Sequence, residues 1–235
     1  MKLISWLESR NTYLYLHLFT VVPIVFLSFD KNVHYYKNWR FLFPAIALVA
    51  MVFIGWDVFF TVKGIWGFND QYVLGLFLSE LPLEEWMFFI TVPFACVFIY
   101  ECLNFYVKKD WLLRFDQPIS IFLSALFLVI GFLNWPRMYT ATTFILAGAF
   151  LLWHFLTVPN SYRTRFYLAY AVSWIPFLLV NGVLTGAYTE YPVVIYNPEE
   201  YLGIRITAVP IEDSVFGFIL FLGVVTLYER FRRRR

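Results

Sequence analysis

The sequence predicts an all-α integral membrane protein with seven transmembrane helices, built from two parallel three-helix repeats joined by a connecting helix. Three observations carry that expectation. Of 235 residues, 61% are hydrophobic and 14% charged, whereas soluble domains run near half and a quarter. The apolar residues fall in blocks of about 20, long enough to cross a hydrocarbon core of roughly 30 Å, and not at amphipathic spacing. Finally, Pro82-Leu-Glu84-Glu85-Trp-Met-Phe88, followed by Tyr100-Glu101, recurs 128 residues on as Pro210-Ile-Glu212-Asp213-Ser-Val-Phe216 and Tyr228-Glu229. At the same offset Asn69 falls on Asn197, Leu74-Gly75 on Leu202-Gly203, and Ser79 on Thr207. One constant offset through polar, proline, glycine and aromatic positions marks a duplicated unit.

Taken in order, the spans are expected at about 13–29, 41–62, 82–106, 118–134, 139–158, 166–187 and 208–229. The first has no small-residue cleavage site and is expected to be retained. Pro23 and Pro176 fall inside spans and are expected to kink them. Spans 1 to 3 belong to a first repeat (1–110), the fourth connects (111–136), and spans 5 to 7 belong to a second repeat (137–235). A single connecting span returns the second unit to the orientation of the first, so both acidic pairs lie at one end of the bundle.

Charge placement orients the chain. The N-terminal side carries Lys2, Arg10, Lys63, Arg137 and Arg205, and the other thirteen Lys and Arg lie opposite, including Arg163, Arg165 and the run Arg232–Arg235. The positive-inside rule puts the N-terminus outside and the C-terminus in the cytoplasm, of a cytoplasmic membrane if the source is bacterial. Membrane lipids are expected partners and nucleic acid is not. Cys96 and Cys102 lie six apart on one helix, His17, His34 and His154 are scattered, and no Gly-x-Gly-x-x-Gly occurs. No disulfide framework, metal or cofactor is expected.

Pro82 and Pro210 suit the first helical position, where a missing N–H is harmless. Glu84, Glu85, Glu212 and Asp213 then fall in first turns and are the catalytic candidates. The helix N-terminus favours their ionised form, while burial and a like charge next door favour the protonated form that a general acid needs. A lone pair of this kind would be ordinary helix-end stabilisation; two in one setting point to chemistry. Asp57 and Asn181, deep in spans 2 and 6, are supporting candidates, for function or for a buried hydrogen bond. Asn69 and Asn197 precede the acidic pairs, as turn formers or as part of a substrate mouth. Phe88 and Phe216 are pocket candidates among many rings, whose faces can stabilise a cation or simply pack. Glu101 and Glu229, 17 residues beyond Glu84 and Glu212, are expected to pair with Lys108 and Arg230 at the far interface. His17 and His154 are expected to bond helix to helix.

The doubled Pro-x-Glu-Glu/Asp motif heading a membrane helix resembles the lycopene cyclase domain family, in the fused form of its heterodimeric, flavin-independent members. The likeness spans essentially the whole chain. It implies a lycopene β-cyclase of carotenoid biosynthesis, an isomerase of the intramolecular lyase type that turns lycopene drawn from the bilayer into β-carotene. One acidic pair would donate the proton and the other accept one. It also implies contacts with other carotenoid enzymes. Trp56-Asp57 has no identical partner near Asn181, so a role for Asp57 need not occur twice. Another ring type, C50 carotenoids, or a proton-coupled transporter are the alternatives; transporters usually break helices mid-membrane, whereas these acids sit at helix starts. A retinal protein would need a lysine in the last span, which has none. A prenyltransferase would need two Asp-rich loops, which Asn69-Asp70 and Asn197-Pro198-Glu199-Glu200 do not supply.

Overall fold

The computed structural model describes residues 7–158 and 162–233; Lys2, Arg234 and Arg235 lie outside them. The described chain forms α1 (Thr12–Leu27), α2 (Trp39–Val62), α3 (Leu83–Tyr106), α4 (Asp116–Leu133), α5 (Met138–Thr157), α6 (Arg163–Leu184) and α7 (Ile211–Arg233). Six are long and apolar enough to cross a membrane. α1 is also apolar, but its 16 residues rise only about 24 Å, short of a hydrocarbon core. The chain is an all-α, multi-pass membrane protein. Its helices run through Pro23 and Pro176, and also through Pro44 and Pro93.

Six short strands lie in the loops at one end: β1 (Trp66–Phe68), β2 (Phe77–Leu78), β3 (Leu81–Pro82), β4 (Val194–Tyr196), β5 (Arg205–Ile206) and β6 (Val209–Pro210). Pro82 and Pro210 are not the first helical residues. Each closes a hairpin, opposite Phe77 and Arg205, and Pro82 is extended, with φ −63° and ψ 150°. A proline suits this place because the next N–H makes the closing bond: Leu83 donates to the Leu76 carbonyl at 2.8 Å and Ile211 to Ile204 at 3.0 Å. The tips hold Ser79 and Thr207 at φ 52° and 58°, a strained region for side-chain-bearing residues.

β1 pairs antiparallel with β4, and the central pair is Gly67 with Ile195. These two residues are themselves 128 apart, so the ribbon lies on a two-fold axis relating the units. The flanking bonds repeat the relation: Asn69 N–H donates to the Val193 carbonyl and Asn197 N–H to Ile65, both at 2.9 Å. Around the axis, α2 packs on α7 and α3 on α6, and α7 is the most buried span.

α4 stands outside this symmetry and packs on α5. The two approach closely at Gly148, where a Cβ would lie 2.8 Å from the Ser124 carbonyl oxygen, the small-residue contact usual between membrane helices. At the far end Arg163 is not a loop cation but fully buried. Its Nε donates to Asp116 Oδ1 at 2.7 Å and its NH1 to the His154 carbonyl at 3.1 Å, pinning α4, α5 and α6 together. Glu101 and Glu229 bind Arg232, at 2.8 and 2.7 Å, and not Lys108 or Arg230. Those two cations face outward and are exposed. His17 does join helices, through Thr91 at 2.8 Å. His154 does so too, its Nδ1 lying 3.2 Å from the Arg163 guanidinium at the head of α6, with Nε2 3.2 Å from the Tyr162 hydroxyl.

Candidate active site

Neighbouring helical residues point about 100° apart, so the members of each acidic pair cannot face one way. Glu84 turns back to its loop and accepts the Leu74 N–H at 2.7 Å. Glu212 does the same with Leu202 at 2.8 Å and also accepts the Thr140 hydroxyl at 2.6 Å. Gly75 and Gly203, at φ 81° and 77°, supply the left-handed turn that brings each amide over its carboxyl. Both acids are fully buried, and neither lines the cavity that Glu85 and Asp213 share.

Glu85 and Asp213, equivalent at offset 128, face inward onto one cavity that both units line. Glu85 Oε2 accepts the Tyr13 hydroxyl at 2.7 Å, and the Asp57 carboxyl lines the same cavity. Asp57 Oδ1 accepts the Trp66 indole N–H at 2.7 Å. Asp213 Oδ1 accepts the Tyr139 hydroxyl at 2.6 Å, and its Oδ2 accepts from Tyr196 at 2.8 Å and Asn181 at 3.4 Å. Trp66 and Tyr196 face each other in the axial ribbon, which thus hands one donor to each unit's acid. Burial, and then the adjoining Asp213 carboxyl, push the Tyr196 phenol well above its ordinary pKa, so it stays a donor. No Lys or Arg is among the described residues lining the cavity. Its walls include Phe88, Phe89 and Phe216, and it descends α3 as far as Cys96, about 16 Å along the helix.

Of the residues singled out by sequence, Asp57, Glu85, Phe88, Asn181, Asp213 and Phe216 meet at this cavity. Glu84, Glu212, Asn69 and Asn197 do not. The two asparagines shape turns, accepting the N–H of Gln71 and Glu199 on their side chains, each at 3.1 Å. Sequence reasoning missed Tyr13, Tyr139, Trp66 and Tyr196. Tyr13 and Tyr139 are equivalent, since their N–H groups donate to Tyr72 and Glu200, each at 3.1 Å. They are 126 apart, not 128, and so escape a fixed-offset comparison. Tyr196 corresponds, at offset 128, to Phe68 of the first unit and so has no repeat signal.

A family model described as lycopene cyclase matches residues 10–103 and 136–231, one stretch per unit and most of the chain. The chain belongs to the lycopene cyclase family. At the level of that family it is a carotenoid cyclase. The two lycopene cyclase stretches begin 126 residues apart and end 128 apart, the same slip that the two tyrosines show. The connecting helix lies outside both. No curated protein and no solved structure matches the chain. Chemically, the site offers two carboxyls of the first unit, Glu85 and Asp57, on an apolar cavity and a carboxyl of the second, Asp213, that accepts from three donors. That suits adding a proton to an apolar molecule and removing one from it.

Proposed function

We propose that the chain is a lycopene β-cyclase, converting acyclic carotene ends to β-rings by an acid-catalysed, redox-neutral isomerisation. The observation that supports this is the unequal bonding of the two equivalent acids, Glu85 and Asp213, at one aromatic cavity. Glu85 accepts a single hydrogen bond, from Tyr13, and shares its cavity with a second carboxyl, Asp57, and a like charge close by in a buried site favours keeping a proton. Glu85, with Asp57 behind it, is therefore the proton donor. Asp213 meets three donors, the setting of an acceptor-only carboxylate, and is the base.

The proton adds at C2 of the terminal double bond and leaves a cation at C1. The C5–C6 double bond attacks, the C1–C6 bond forms, and the charge passes to C5. Loss of the C6 proton to Asp213 leaves the C5–C6 double bond of a β-ring. One proton enters and one leaves, so no oxidant or reductant is needed. Phe89, Phe216 and Trp66 offer ring faces to the cation, worth about 2 kcal/mol or more when desolvated. Lycopene arrives from the bilayer, and other carotenoid enzymes are the neighbours that would supply it and use the product. The charge placement supports an orientation with the acids at the outer face and the C-terminus in the cytoplasm.

Expression in a bacterial host that accumulates lycopene tests this directly, with pigments separated by chromatography. β-Carotene should form by way of one-ringed γ-carotene, and in deuterated water each ring should gain one deuterium at C2. Unchanged lycopene with the protein in the membrane, or rings free of deuterium, would reject the proposal.

A further inference from the structure

A second cavity of about 440 Å³ lies between α4, α6 and α7. It lies beside the site cavity, and Tyr170, Trp174 and Ser214 line both. The site cavity is about 80 Å³, room for a chain end but too small for a whole polyene. The units differ at this place. Ser214 stands where the first unit has Trp86, and Gly217 where it has Phe89, so two exchanges of ring for small side chain thin this face of α7. α6 also packs less closely on α7 than α2 does on α3. α4, without a counterpart in the first unit, closes the gap with a row of side chains from Ile119 through Leu123 to Ile130, about 16 Å along its axis.

We propose that this second cavity seats the unreacted length of a linear polyene hydrocarbon whose reacting end lies between Glu85 and Asp213. The inference rests on the cyclase function proposed above. The lining identifies the occupant, since it carries no charged side chain among the described residues. The hydroxyls of Tyr167 and Tyr170 are already bonded to Ser120 and to the Ser214 carbonyl. Apart from the Ser214 hydroxyl, which has no hydrogen-bond partner, such a surface offers little to a headgroup or an ion and suits a stiff apolar chain. The three residues it shares with the reacting cavity place that chain next to the reacting end, as the substrate's own. The connecting helix is thereby part of the substrate site, although it lies outside both stretches that the family model matches.

Thiol protection tests the seat without relying on turnover. Leu123→Cys in membranes is treated with a lipid-soluble maleimide, and mass spectrometry reads the peptide containing residue 123, separate from Cys96 and Cys102. Added lycopene should slow labelling there severalfold. In parallel, Leu123→Trp should lower ring formation on lycopene about tenfold relative to that on a twenty-carbon polyene with the same end group, equivalent to roughly 1.4 kcal/mol. Labelling that lycopene leaves unchanged overturns the seat, whether or not rings form. Slowed labelling in a chain that forms no rings upholds the seat and removes the cyclase function. Should Leu123→Trp fail to accumulate, the labelling result decides alone.

Discussion

Glu84 and Glu85 are chemically alike and adjacent, yet one holds a loop and the other faces the cavity. The distinction follows from helical rotation and is invisible in the motif, where all four acids look equivalent. It separates their mutants. Glu85→Gln should lower ring formation by about 10²- to 10⁴-fold, the usual worth of a positioned general acid, with the fold intact. Glu84→Gln should keep measurable ring formation but lower stability by about 1–3 kcal/mol, because a buried hydrogen bond to the Leu74 amide is disturbed. Product rates in membranes and thermal unfolding in detergent check the pair together. A Glu84→Gln chain that is stable but inactive would return Glu84 to the catalytic group.

The helices were legible in the sequence and the loops between them were not. Each span is a run of apolar residues, and burial in lipid rewards length and composition irrespective of neighbours. The hairpins at Phe77–Pro82 and Arg205–Pro210 are too short to show a strand period, so both prolines were expected inside helices. The repeat placed Glu85 and Asp213 correctly at one end, but the tyrosines that bind them lie across a two-residue slip. α4 reads as a mere connector because nothing in its sequence announces what covers it. Its attachment depends on Arg163, whose guanidinium bonds Asp116 of α4 and the last turn of α5. Arg163→Ala should destabilise the chain by on the order of 3–5 kcal/mol by leaving a buried carboxylate unpaired. Pairing Arg163→Met with Asp116→Leu should restore most of that. Unfolding curves for the single and double variants decide it, and equal losses in both would place the energy elsewhere.

At the scale of the molecule, the proposed mechanism gives the duplicated chain one reacting centre. The axial ribbon brings Glu85 of one unit and Asp213 of the other to the same cavity, so on the proposed mechanism each chain handles one substrate end at a time. A carotene with two like ends has to leave and return reversed before its second ring can close. With lycopene in excess, the one-ringed product should therefore rise first and the two-ringed product follow after a lag, as a time course of extracted pigments would show. Two-ringed product without a lag at low conversion would contradict this. The ratio of the two pigments then depends on how crowded the membrane is with fresh substrate. A cell could shift its pigment colour by changing supply alone, with no change in this chain.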